Sequence, residues 1–300
     1  MAAWLPLALA APALLTVVNF IDKYIVEREV QDTRAMPIFA GLAGVTASIV
    51  LFLTGAWTPL PQTDALIIIF VGMLVIVGAT FYFVALPKAQ TSAIIILLQL
   101  TPVFVLVLAW LFLREEIALL QFAGFWLIVT AAMGISIEPG AGRIRLSGPF
   151  ASIMIVSVLH AFSSILLRVL LVDPDLMTII FYQGIGQGIG AALVYAIVPS
   201  FRYGFNLTFQ QVRKSAIVII SLNEFLFLAA RGLTNQALTL GPAARVSVLS
   251  GTQVFYGILF GLLLMRISPT TFREAVDMRS IIRKVFLAGV MFAGLWLVIR

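Results

Sequence analysis

The 300 residues contain no cysteine, which excludes disulfides and thiolate metal sites. They contain one histidine, His160, which excludes an ordinary histidine-rich metal centre and leaves a Ser-His-Asp hydrolase poorly supplied. Charge is scarce as well: 11% of residues are Asp, Glu, Lys or Arg, against about a quarter in soluble domains. No paired intramembrane aspartates and no HExxH are present. Asp22, Asp64, Asp173, Asp175 and Asp277 all read as lying at or beyond helix ends. No ring of like charge or filter motif suggests a channel. The glycine-dense stretch 183–190 lacks the Lys-Ser/Thr and the preceding strand of a phosphate loop. The chain reads as no enzyme, with no cofactor and no metal.

What is abundant is apolar: 62% of the residues are hydrophobic. A soluble fold of this length cannot hide so much apolar surface, whereas a bilayer is itself an apolar solvent. The net charge of +6 then reads as Lys and Arg of cytoplasmic loops, not as a nucleic-acid footprint. No basic residue precedes the first apolar stretch, 4–20, and no small-residue cleavage site follows it. It reads as a retained span.

A span needs roughly 20 apolar residues. Ten such runs occur, at 4–25, 37–53, 65–86, 91–113, 121–137, 148–172, 177–198, 216–238, 243–265 and 285–299. The expected fold is an all-α integral membrane protein of about ten helices. The two longer connections, 200–215 and 266–284, have mixed charge that suits short helices on the membrane surface.

The chain also repeats itself. Ala85-Leu86 aligns with Ala237-Leu238, and at the same offset Leu97 meets Leu249, Val107 meets Leu259, Leu111 meets Leu263 and Arg114 meets Arg266. A later helix opens with Ala123-Gly124 in one half and Ala288-Gly289 in the other. Five spans per half is an odd number, so the halves, 1–138 and 147–300, are expected to lie in opposite orientations. Inverted repeats are a recurrent plan of secondary transporters, with the site between the halves. Counting basic residues in the loops places both termini outside the cytoplasm.

The stretch from Tyr82 to Gly134 carries a resemblance. It has Ala85-Leu86 before the fourth span, Pro102 within it, Glu115 or Glu116 after a Leu-rich exit, and Gln121 to Gly124 opening the fifth. It resembles the EamA-type module of the drug/metabolite transporter superfamily, and Asn19 to Tyr24 is similar to the end of the first span in bacterial members. The second half is looser: Val254 stands where the pattern has Pro, and no acidic residue follows Arg266. The resemblance implies a ten-span carrier in the bacterial inner membrane that exports amino acids, drugs or other small metabolites, with cytoplasmic termini. The charge count and the resemblance thus point the termini in opposite directions.

Polar groups inside spans are costly and mark function or structural pairing. Ser221, Glu224, Arg231 and Asn235 share a face of the eighth span, where Glu224 is placed to bind a cation or a proton. His160 lies midway along the sixth span, followed by Arg168. Thr16, Asn19 and Lys23 form a stripe on the first, with Asp22 beside them. Lys23 reads as an edge anchor and Asn19 as the deeper group. Gln99 and Thr101 flank Pro102, which removes a helix hydrogen bond near position 98. Gln183 and Gln187 sit among overlapping small-xxx-small pairs that suit helix packing. Tyr256 and Gln253 lie on the ninth span, and Tyr82 reads as an interface aromatic. The substrate set is Asn19, Gln99, His160, Gln183, Gln187, Glu224, Arg231, Asn235 and Tyr256, converging on a mostly apolar cavity. The implied function is secondary, proton-coupled export of a small metabolite by a monomer or homodimer in the lipid bilayer. An accessory or flippase-type subunit acting on a lipid-linked substrate is the alternative.

Overall fold

The computed structural model describes residues 4–113, 118–136, 148–168, 170, 174–240, 249–267 and 278–298. The boundary between the halves, at 138–147, lies outside them. Among the described residues the chain is helical and contains no strand. In chain order α1 is Trp4–Tyr24, α2 Met36–Thr54, α3 Gln62–Ala85, α4 Thr91–Leu98, α5 Thr101–Leu113, α6 Leu119–Ser136 and α7 Gly148–Arg168. Then follow α8 Leu176–Ile197, α9 Pro199–Gln211, α10 Lys214–Leu240, α11 Gln253–Ile267 and α12 Met278–Val298. Seven helical stretches among the described residues are long and apolar enough to cross a membrane, and Leu119–Ala131 and Gln253–Leu264 are shorter apolar helices. Large apolar side chains such as Phe52, Leu53, Trp110, Leu119, Leu222 and Phe225 stand exposed on the outer surface, as lipid contact requires.

Local chemistry sets the ends. Gly55 closes α2 at φ 67°, and Ala56 N–H reaches the Leu51 carbonyl, which is the left-handed cap that glycine permits. Asp175 caps α8 by accepting from Thr178 N–H at 3.0 Å and the Thr178 hydroxyl at 2.8 Å. The first span does not stop at Ile25. Ile25–Glu29 continues it as a π-helical turn, giving a 26-residue rod from Trp4 to Glu29. α9 supplies the short helix expected in 200–215. Its Phe205 packs on Phe39 with centroids 5.2 Å apart, and Gly204 lies against Asp32. Hydrogen bonds from the Arg34 side chain hold the Asp32 carboxyl below the ordinary carboxylate value. The other surface-helix expectation, within 266–284, falls mostly outside the described residues. α12 already begins at Met278.

The glycines of α8 act on two faces. A Cβ on Gly184 or Gly188 would strike Gly44, Val45 or Ser48 of α2, while one on Gly186 or Gly190 would meet Ile69, Gly72, Met73 or Ile76 of α3. Glycine here lets three backbones approach within packing distance.

The packing partners follow a rule of exchange. α2 lies on α8, α4 on α11 and α6 on α12, each a pair of corresponding spans. The contact of α1 with α10 is matched by that of α7 with α3, whereas the extensive contact of α3 with α8 has only a slight counterpart in that of α10 with α2.

A break lies after α4 and another before α11. Helical geometry lapses at Gln99-Leu100 and again at Gly251-Thr252, positions 152 residues apart, the offset that also separates Ala85 from Ala237. Phe104 N–H bonds the Leu100 carbonyl, and Tyr256 N–H bonds the Thr252 carbonyl, at the same spacing. Pro102 accounts for the first break by lacking an N–H. Val254 carries an N–H, donated to Gly251, yet the second break is there too.

Candidate functional site

The polar residues brought together are those on the inner faces of α1, α3, α10 and α11. Gln253 Nε2 donates to Asn19 Oδ1 at 3.0 Å, and Asn19 Nδ2 donates to the Tyr82 hydroxyl oxygen at 2.8 Å. The Tyr82 hydroxyl donates to Asp22 Oδ2 at 3.1 Å, and Asn223 Nδ2 donates to Asp22 Oδ1 at 2.7 Å. Every donor in this ladder points toward the Asp22 carboxylate, so the bonds polarise one another in its favour. Asn19 and Asp22, three residues apart, share one face of α1. Gln253 is the first residue of α11 and so sits at the second helix break. The neighbouring Thr16 hydroxyl donates to the Pro12 carbonyl at 2.8 Å.

Three sequence expectations are corrected here. Asp22 is not at a helix end: the π-helical extension carries α1 five residues beyond Tyr24, and Asp22 is only 5% exposed. Tyr82 is no belt aromatic, because its hydroxyl lies between Asn19 and Asp22. Lys23 is likewise more than an edge anchor. It is 6% exposed, and its ammonium donates to the Leu86 carbonyl at 2.7 Å and the Ala89 carbonyl at 2.9 Å, with Glu27 at 3.0 Å. It thereby caps the C-terminal end of α3 and its following turn, where a cation is favoured.

Glu224 follows Asn223 on α10 and lies within electrostatic reach of Asp22 and Tyr82. Arg231, two turns further along α10, lies within reach of His160 on α7. Glu224, Arg231, His160 and Tyr82 are all half-buried, retaining accessible surface although protein atoms surround them. Ser221 is exposed and stands apart from that face.

The remaining candidates divide. Gln99 is 5% exposed and lies at the first helix break. Gln183 and Gln187 are buried in the seam of α8 with α2 and α3, where the Gln187 side chain lies over Gly44 and the Gln183 backbone over Gly72. That seam is the helix-packing role their glycine neighbours suggest, and it does not join the Asp22 ladder. His160 faces Gly78 of α3. Tyr256 is half-buried and stacks on Phe260 at 6.5 Å. The side chains of Pro102, Arg168 and Asn235 lie outside the described residues. The site members that sequence reading left out of its set are Asp22, Tyr82, Asn223 and Gln253. Their signal was the Thr16, Asn19, Asp22 spacing, visible once α1 is allowed to run past Ile25.

The comparisons agree with this architecture. No curated protein matches the chain. A solved crystal structure aligns with it at a TM-score of 0.56 and 13% identity, covering 96% of each chain, a likeness of fold alone. Residues 2–137 match the family model described as the EamA-like transporter family, so the first half of this multi-span membrane protein, with Asn19, Asp22 and Tyr82, is similar to a module of that family.

Proposed function

We propose that the protein is a secondary carrier of a small zwitterionic metabolite of the amino-acid class, exporting it across the inner membrane at the expense of a proton gradient. The observation that carries this reading is the inner face of α10. It presents a carboxylate, Glu224, and a guanidinium, Arg231, seven residues or roughly 10 Å apart along the axis. No ion pair joins them among the described residues. Two opposite charges held apart in an enclosed, low-dielectric space offer an ammonium and a carboxylate complementary partners at once, and the apolar walls accept the rest of the molecule. The site lies between elements of both sequence halves, and the exchange rule of helix packing supports an inverted pair working by alternating access. Export is taken from the family resemblance.

The test is counterflow in proteoliposomes, using a radiolabelled mixture of protein amino acids. Wild type exchanges label. Glu224→Gln and Arg231→Gln each raise the half-saturating concentration about tenfold or more, as loss of a charged hydrogen bond predicts. Exchange unchanged by both substitutions overturns the zwitterion site. A lipid-linked substrate would instead give no amino-acid exchange.

A further inference from the structure

We propose that Asp22 and Glu224 form a shared proton site, with Asn223 as the group that accommodates both its loaded and its empty state. The inference rests on the carrier reading above and names the coupling site within it.

Glu224 directly follows Asn223, whose amide bonds the Asp22 carboxylate at 2.7 Å, so two carboxylates stand in mutual electrostatic range inside the bundle. Two ionised carboxylates in such surroundings cost several kcal/mol unless a cation answers them. The cations nearby are engaged elsewhere. Lys23 is spent on the Leu86 and Ala89 carbonyls and on Glu27, Lys284 donates to Ser92 Oγ, and Arg231 is two turns away beside His160. The groups that do face Asp22 are neutral: Tyr82 from α3 and Asn223 from α10, with Asn19 and Gln253 behind the tyrosine.

A second observation is independent of the acid pair. Asn223 is 2% exposed and gives its Nδ2 to Asp22, while its own Oδ1, fully buried, has no hydrogen-bond partner. An orphaned buried acceptor is costly, because it has given up water without gaining a donor. A half-turn of the amide presents Oδ1 to Asp22 instead, where it can accept a hydrogen bond once Asp22 carries a proton to donate. The chemistry balances simply. A proton adds to one oxygen of the carboxylate, the new O–H donates to Asn223 Oδ1, and the pair's charge falls from two to one. The ladder from Asp22 through Tyr82 and Asn19 to Gln253 then weakens at its acceptor end, and Gln253 opens α11 at its break.

The experiment is infrared difference spectroscopy of the full-length protein in lipid nanodiscs during a pH titration, in sodium or choline buffer of equal ionic strength. Wild type is expected to show a protonated carboxylic-acid band that shifts with ¹³C-aspartate labelling, is lost in Asp22→Asn, and changes frequency in Asn223→Leu. The labelled wild type decides the matter even if Asp22→Asn does not fold. A band absent throughout, one that shifts with ¹³C-glutamate but not ¹³C-aspartate, or one that persists in Asp22→Asn overturns the assignment. A band abolished by sodium but not choline makes this a sodium site and overturns it also. A transport arm separates this from the carrier reading. A pH gradient should drive amino-acid accumulation about tenfold per pH unit in wild type, and this response should vanish in Asp22→Asn. A response that survives the substitution sinks the shared site. Wild-type vesicles that move no amino acid under any gradient sink the carrier reading, while the infrared result still decides for or against Asp22.

Discussion

Lys23 and Asp22 are sequence neighbours with opposite environments, and the helix explains why. Successive side chains on an α-helix point 100° apart, so one turns into the bundle and the other toward the end of α3. Lys23 satisfies backbone carbonyls that the end of a helix leaves without partners, and Glu27 completes its neutralisation. Lys23→Met removes the charge but leaves the Leu86 and Ala89 carbonyls and Glu27 without it. The expected cost is roughly 2–4 kcal/mol, below the full penalty for breaking a buried pair because Glu27 retains 24% exposure. It should appear as a thermal midpoint several degrees lower in detergent. An unchanged midpoint would show that water replaces the ammonium freely.

At the scale of elements, glycine and the helix breaks carry the architecture. Gly186 of α8 and Gly289 of α12 are both helical glycines, with opposite expectations. A Cβ on Gly186 would overlap the Ile69 carbonyl of α3, which as backbone cannot swing aside, whereas one on Gly289 meets nothing within 4 Å. Gly186→Ala should therefore cost about 3 kcal/mol or more through overpacking, and Gly289→Ala should be neutral or slightly stabilising. Comparing their thermal midpoints checks the direction of each and the register of α8 on α3. The breaks teach a different point. Proline marks the first in the sequence, but the second arises at Gly251-Thr252 without one. Near it α4 and α11 pack on each other.

For the whole molecule, the contact of α4 with α11 joins the two halves at corresponding spans, beside both breaks. A Cβ on Gly257 would lie 3.6 Å from the Ile95 Cβ, within the usual disulfide range of about 3.5–4.5 Å. The chain has no cysteine of its own, so Ile95→Cys combined with Gly257→Cys makes a clean pair. Mild oxidation is expected to cross-link it within one chain. If the halves move against each other during transport, the cross-link should reduce counterflow at least about tenfold and a reductant should restore it. Full counterflow in the cross-linked protein would place the moving parts elsewhere.

Membrane residence and helical class were legible in the composition, because 62% apolar residues with 11% charge have no soluble solution and a bilayer demands internally bonded backbone. The offset read between Ala85 and Ala237 in the sequence also separates the two helix breaks. Glu224 and Asn19 were identifiable as polar interruptions of apolar runs. Which polar groups meet was decided by tertiary structure alone. Gln183 and Glu224 look alike as lone polar residues in apolar helices, yet α8 turns the first into its seam and α10 brings the second within reach of Asp22. Asp22 escaped sequence reading for a local reason: the charged run Glu27-Arg28-Glu29 looks like a loop, and only packing against α10 and the turn after α3 sustains a π-helical turn there. Periodicity records which face of a helix is apolar. It does not record where helices far apart in the chain cross, and a polar network from α1, α3, α10 and α11 exists only at such crossings.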